Sequence, residues 1–395
     1  MNSEIVRFKR LLKMALPKGQ SAFLWGARKT GKSTYLHDHF PKAIFYDLLK
    51  TDLHFQLAKE PHLLREEILA LPADATKHPI IIDEVQKIPE LLNEIHWLIE
   101  NTKFQFILCG SSARKLKRNA ANLLGGRAWR YLFYPLVYPE IPHFNLLHAL
   151  NNGLVPSHYL ANDAKRSLNA YVTDYLKEEI QGESLVRNLP AFARFLDAMA
   201  LTHGELVNFS NIARDCGIDS KTVKEYYQIL EDTLLGYFIY PYTNRAKRDI
   251  ILAMPKFYLF DVGVANALAK RKIASLKGIE AGKLFEHFIL TELIAYRGLH
   301  DLDFDIRFWR TKTGLEVDFI LGKAEVAIEI KISERIDKSE IKGLIAFQEE
   351  HRPKNTYLVC LTERPRKITT NNQSEILALP WETFLKKLWA GEIIK

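Results

Sequence analysis

The stretch SAFLWGARKTGKSTYLHDHF, Ser21 to Phe40, reads as an apolar strand, a glycine-bounded loop and an amphipathic helix. Its loop, Gly26-Ala27-Arg28-Lys29-Thr30-Gly31-Lys32-Ser33, matches G-x-x-x-x-G-K-[ST] at every fixed position. Glycines let backbone N–H groups wrap phosphates, and the N-terminus of the next helix favours negative charge. Lys32 is placed to reach the β- and γ-phosphates of ATP, and the Ser33 hydroxyl to bind Mg²⁺. Gly26 through Thr34 is therefore the expected nucleotide-binding run. Arg28 and Lys29 occupy its variable positions, solvated or touching phosphate.

Further along, HPIIIDEVQKIPELLNEIHWLIE opens with an apolar strand ending in Asp83-Glu84. A nucleotide site of this kind needs an acid on the strand beside the phosphate loop to support Mg²⁺. Asp83 suits that role, and Glu84 suits polarisation of the attacking water. FQFILCGSSARKL supplies a third buried strand, after which Ser111 can sense the γ-phosphate. Apolar strands ending in polar residues, with helices between, predict a parallel sheet whose ligand lies at the strand C-termini.

The set GARKTGKST, IIIDEVQKIP, FILCGSSARKL and LLGGRAWRYLFYPL resembles the prokaryotic AAA-type ATPases that carry a C-terminal domain of unknown function. The resemblance implies that Arg127, in Gly-Gly-Arg, acts on the γ-phosphate of its own or a neighbouring subunit of a homo-oligomer. Read from the residues alone, Arg127 is equally a surface ion-pair residue.

In the middle of the chain, NFSNIARDCGIDSKTVKEYYQILEDTLLGYFIYPY has the spacing of a helix-turn-helix. Ser210 is the expected N-cap of its first helix, Gly217 the turn, and Asp219 or Ser220 the cap of the second. Leu234 to Ile239 then resembles the start of a β-wing. Such a unit either faces DNA, through Ser220, Lys221, Lys224 and Tyr226, or packs against protein. The basic run Asn244 to Arg248 is a further phosphate-contact candidate.

Near the C-terminus, EVDFILGKAEVAIEIK, Glu316 to Lys331, reads as a hairpin about a Gly322-Lys323 turn. A two-residue turn would set Asp318 opposite Ala327 and Glu316 opposite Glu329. Alternation places Asp318, Glu329 and Lys331 on one face. Buried without a partner these charges are costly, and a divalent cation held by the carboxylates would resolve the cost. Lys331 would then orient or deprotonate a water. A solvated Glu–Lys edge is the plainer alternative. The spacing D-x(10)-E-x-K resembles the PD-(D/E)-x-K nuclease superfamily, with Val317 where a proline is common. The resemblance implies a further acid from the preceding helix GKLFEHFILTELIAYRG, namely Glu286, and Mg²⁺ or Mn²⁺ as the metal.

Composition is that of an ordinary globular α/β chain of 395 residues. Its net charge of +8 is compatible with DNA as partner. No apolar run approaches the roughly 20 residues of a membrane helix, so no membrane partner is expected. The N-terminus lacks a cleavable-signal pattern, and the three cysteines are widely spaced, so a cytoplasmic protein with reduced thiols is expected. The expectation is a P-loop parallel-sheet ATPase domain over 1–142, a helical region with a winged helix-turn-helix over 143–270, and an α/β restriction-endonuclease-like domain over 271–395. Two functions fit: an ATPase coupled to a nuclease-like domain acting on DNA, or a nucleotide-dependent switch whose nuclease-like domain binds DNA or protein without cutting.

Overall fold

The computed structural model describes residues 7–112, 124–175, 188–243, 254–370 and 374–395, so the basic run Asn244 to Arg248 lies outside the described residues. The chain forms two compact units, residues 9–135 with 229–235, and the remainder.

The first unit is built on a five-stranded parallel sheet in the order β2-β3-β4-β1-β5. The strands are β1 (Ser21–Trp25), β2 (Ile44–Asp47), β3 (Ile80–Asp83), β4 (Phe106–Gly110) and β5 (Ala128–Leu132). β1, β3 and β4 are buried along their whole length, which is why they read as unbroken apolar runs rather than alternating ones. Helices α1 (Lys32–His39) and α2 (Leu91–Asn101) belong to this unit. The apolar face of α2, through Leu91, Leu92, Ile95 and Leu98, joins Phe23, Ile80, Ile82, Phe106 and Leu108 in one core. The acid-bearing strand is not beside the loop-bearing one, as the sequence led us to expect. β4 lies between them, pairing Ile107 with Ala22 on one side and with Ile81 on the other. Gly110 permits the close packing at its end, since a Cβ there would stand 2.2 Å from the Gln86 Oε1 atom and 2.8 Å from Trp25.

The second unit carries an eight-stranded sheet in the order β12 (Arg366–Thr369), β13 (Glu375–Pro380), β11 (Asn355–Cys360), β10 (Val326–Ile330), β9 (Glu316–Leu321), β8 (Ile306–Arg310), β6 (Gly236–Pro241) and β7 (Lys256–Leu259). β6 (Gly236–Pro241) and β7 (Lys256–Leu259) form an antiparallel pair, and β6 continues in parallel onto β8 (Ile306–Arg310). The sheet thus joins strands on both sides of residue 270. Upstream, the helix Phe209–Cys216 is capped by Asn208, whose side chain accepts from Ser210 N and Asn211 N. Ser210, the expected cap, is already inside the first turn. Gly217 closes this helix in the left-handed region at φ 64°, and Asp219 accepts from Lys221 N and Thr222 N at the start of Ser220–Asp232. Tyr226, a candidate for a DNA groove, is instead buried with its ring edge against Phe192. Lys221 remains exposed.

The hairpin of β9 (Glu316–Leu321) and β10 (Val326–Ile330) is antiparallel, but its register differs from that of a two-residue turn. Leu321 pairs with Val326, leaving Gly322 to Glu325 as a four-residue connection. Gly322 at φ 62° and Ala324 at φ 58° are both left-handed, which is how the longer turn closes. Pairing moves by two residues, so the charged face is kept, and the register of Ile328 with Phe319, carried one residue further, brings Asp318 opposite Glu329 rather than Ala327. The long helix Gly278–Leu299 carries Glu286, and β11 (Asn355–Cys360) flanks β10 in parallel. All three cysteines are free and buried. Among the described residues no helix is long and apolar enough to cross a membrane.

Candidate functional site

The phosphate-loop cradle lies at the C-terminal end of β1. Gly31 adopts φ 97° and Lys29 φ 64°, turning the loop back over the first turn of α1. Gly26 is required by close approach, because a Cβ would stand 2.3 Å from the Phe133 carbonyl oxygen. The Thr30 hydroxyl donates to Ala27 O at 2.7 Å, and the buried Lys32 ammonium donates to Gly26 O at 2.7 Å and Ala27 O at 3.1 Å. The loop is also braced from a residue the sequence did not single out. Arg10 donates to Thr30 O at 2.8 Å and Tyr134 O at 2.6 Å, and its guanidinium sits 4.2 Å from the Phe133 ring centroid.

Although β3 is one strand removed from β1, Ser33 on α1 reaches across. Its hydroxyl donates to Asp83 Oδ2 at 2.6 Å. The two groups expected to share Mg²⁺ are therefore in contact, and a hydroxyl and a carboxylate make an oxygen pair suited to that cation. Glu84 follows in the left-handed region at φ 58°, its N–H donating to Asp83 Oδ1. That backbone turns its side chain to Gln86, whose amide donates to Glu84 Oε2 at 2.5 Å and Ser111 Oγ at 3.0 Å. Gln86 thus ties the expected water-activating acid to the expected phosphate sensor. Its position within DEVQ offered no pattern, because its role depends on β4 lying next to β3.

Arg127 is not brought to this cradle within its own chain. Its carbonyl accepts from Ser21 N at the beginning of β1, whereas the loop follows the end of that strand. Five residues at about 3.3 Å each put it roughly 15 Å away. Its side chain pairs with Glu100, with both partners nearly half exposed.

The second cluster lies on the eight-stranded sheet. Asp318 and Glu329 are buried at 7% and 5% exposure. Asp318 Oδ2 accepts from Ile330 N at 2.8 Å, and Lys331 Nζ stands 2.5 Å from Glu329 Oε1. Burial and then the Glu329 charge push the Asp318 carboxyl well above its ordinary range. Burial also raises Glu329, to about 7, against the opposing pull of Lys331. Glu329 Oε2 is buried without a hydrogen-bond partner. Burial lowers the Lys331 pKa, but Asp318 and Glu329 outweigh it and hold the ammonium above its usual value. The Lys331 ammonium is therefore held charged beside the two acids.

Glu286 joins this cluster through residues the sequence reading missed. Its Oε1 accepts from Tyr258 OH and lies 3.3 Å from Lys256 Nζ, both on β7. The same ammonium stands 2.5 Å from Glu316 Oε1. Among the described residues, no group of three or more His, Cys, Asp or Glu side chains is drawn together closely enough to hold a metal ion.

Residues 18–142 match the family model of an AAA domain, residues 144–275 a domain of unknown function (DUF8612), and residues 281–383 a domain of unknown function (DUF4143). An uncharacterized protein of Mycobacterium tuberculosis is 23% identical over 389 residues, covering 93% of this chain and 85% of its own. An uncharacterized protein of Haemophilus influenzae is 22% identical over 358 residues, covering 83% and 86%. The solved structure of the Aeropyrum pernix ORC1 protein in complex with DNA covers 64% of this chain and 86% of its own at 13% identity and TM-score 0.28, a similarity too low to bear on fold or function. The chain carries an AAA domain of the P-loop ATPase family, followed by a C-terminal domain of a family whose function is unknown.

Proposed function

We propose that this protein is an ATP-hydrolysing AAA-type machine whose C-terminal domain is PD-(D/E)-x-K nuclease-like and acts on DNA. The observation that carries the first part is the Ser33–Asp83 contact, which joins the phosphate loop to the acid strand across an intervening strand. Lys32 binds the β- and γ-phosphates, Ser33 and Asp83 hold Mg²⁺, and Glu84, positioned by Gln86, orients the attacking water. Mg²⁺ there would neutralise charge on the phosphate oxygens. Ser111, whose hydroxyl accepts from the same Gln86, senses the γ-phosphate.

The second part rests on the Asp318–Glu329 pairing. Two buried carboxylates of raised pKa, one oxygen without a partner and an adjacent ammonium are costly unless a cation or an anionic substrate completes them. Asp318 and Glu329, joined by Glu286 once it leaves Lys256 and Tyr258, would hold Mg²⁺ or Mn²⁺, which would supply Lewis-acid activation of a phosphodiester oxygen. Lys331 orients the scissile phosphate. The middle region, with its capped helix pair and the β6–β7 strands, is read as a winged helix that carries the C-terminal domain, with Lys221 and Lys224 among its exposed basic residues.

A second reading is favoured by one observation: Glu286 is tied to Lys256 and Tyr258, leaving no ready three-acid metal group among the described residues. In that reading the C-terminal domain binds its target under nucleotide control and cuts nothing. Incubation of the full chain with plasmid and single-stranded DNA, with Mg²⁺ or Mn²⁺ and with or without ATP, separates the two. Nicking abolished by Asp318→Asn supports cleavage. ATP hydrolysis without nicking under either metal moves the assignment to the switch.

A further inference from the structure

Lys256 lies far from the hairpin in sequence, yet β7 delivers it to the acid cluster, where it is 5% exposed. Its ammonium contacts Glu286 Oε1 at 3.3 Å and Glu316 Oε1 at 2.5 Å, with the Phe308 ring centroid 5.4 Å away. Arg310 holds the other Glu316 oxygen at 3.3 Å. The Tyr258 hydroxyl donates to the same Glu286 oxygen that Lys256 contacts. A carboxylate oxygen has two lone pairs, so Glu286 Oε1 is fully engaged. At Asp318 and Glu329 the situation differs: among the described residues only Lys331 forms an ion pair there, with Glu329 Oε1, and Glu329 Oε2 is left buried without a partner.

Four carboxylates (Glu286, Glu316, Asp318, Glu329) thus face two ammoniums and one guanidinium in a largely buried setting. Any cation entering next to Glu286 meets the Lys256 charge at close range in a medium that screens it poorly. We propose that Lys256 is a resident counter-ion that withholds Glu286 from metal coordination, so that a divalent cation completes its site only when Lys256 is displaced. The proposal rests on reading Glu286, Asp318 and Glu329 as a cation site. The burial of Lys256 supports it. Desolvation favours the neutral amine, but Glu286, Tyr258 and Glu316 outweigh it, so the group stays charged where it lies.

The test is calorimetric titration of the nucleotide-free full chain with MnCl₂. Wild type is compared with Lys256→Met and with Lys256→Gln/Glu316→Gln, each with and without Asp318→Ala. The double variant removes the lysine together with one of its two acids, so Glu286 alone, and not Glu286 and Glu316 both, loses its counter-charge. Far-UV circular dichroism checks the fold of each. The expected result is Mn²⁺ affinity about tenfold or more tighter in both Lys256 variants, with the gain lost when Asp318→Ala is added. Unchanged or weaker affinity in a folded variant overturns the proposal. Tight binding in wild type that Asp318→Ala abolishes, and that loss of Lys256 does not improve, leaves the cation site standing and removes the counter-ion role. A gain that depends on Asp318, with no nicking by any variant, keeps the counter-ion and removes cleavage instead.

Discussion

Asp318 and Glu329 face each other across β9 and β10, and the Asp318 carboxylate accepts the N–H of Ile330 at 2.8 Å. That bond gives the acid a structural duty besides any chemical one, so the two must be separated by substitution. Asp318→Asn keeps an oxygen for Ile330 N and removes the charge. We expect a folded protein with metal-dependent nicking of plasmid reduced at least a hundredfold, read by gel. Asp318→Ala, which leaves Ile330 N without its acceptor, should in addition lose about 1–3 kcal/mol in urea unfolding. Nicking that survives Asp318→Asn would place the chemistry elsewhere.

Gln86 links Glu84 to Ser111, so its loss should disturb catalysis more than binding. For Gln86→Ala we expect ATP affinity within about threefold of wild type and turnover lowered roughly 10- to 100-fold, the range of a displaced general base. Lys32→Ala should abolish nucleotide binding itself. Equilibrium binding of a fluorescent ATP analogue beside steady-state hydrolysis distinguishes the two. Equal loss of affinity in both variants would show that Gln86 supports the loop and not the water.

The nucleotide cradle was legible from sequence because its requirements are local. Gly26 and Gly31 are forced by close approach and positive φ, Lys32 and Ser33 open the helix that follows the loop, and Asp83 ends a strand that an apolar run announces. What depends on strand order was not legible. The insertion of β4 between β1 and β3 gives Gln86 its partners, and no spacing in the chain encodes it. The acid face of β9 and β10 followed from alternation alone and survived an error in register, since a two-residue slip preserves parity. Lys256 and Tyr258 were invisible because β7 meets that face only through a sheet built from distant segments.

Ala324 carries the cost of the register that pairs Asp318 with Glu329. It sits at φ 58°, where a Cβ is unfavourable by about 1 kcal/mol relative to glycine. Ala324→Gly relieves that strain but removes a methyl buried in the core of this sheet and adds entropy to the unfolded chain, so urea unfolding should shift by less than about 1 kcal/mol. Gly322→Ala should destabilise it, since φ is 62° there and the new Cβ would stand 2.8 Å from Glu325 Oε1. Stabilisation by Gly322→Ala would mean that the hairpin closes by a shorter turn.

Glu292 provides the clearest pH signature, and it lies away from both clusters of functional candidates. It is fully buried on the long helix, accepting from Tyr138 N at 2.8 Å and from Trp389 Nε1 at 2.7 Å. Both bonds favour the charged form, but burial outweighs them and raises the pKa from 4.5 to about 8. A raised pKa means that the folded state keeps a proton the unfolded state has released. The stability this confers is complete below about 4.5 and is lost as pH rises through about 8. His287, lowered to about 4, has the opposite slope, but its contribution is flat above pH 6.5. Between pH 6.5 and 8, melting temperature should fall in wild type and fall less steeply in Glu292→Gln. Gln cannot serve both donors, so that variant will melt lower overall, and the difference in slope is the readout. Parallel slopes across that window would show that Glu292 is ionised in the fold and that its two hydrogen bonds outweigh its burial.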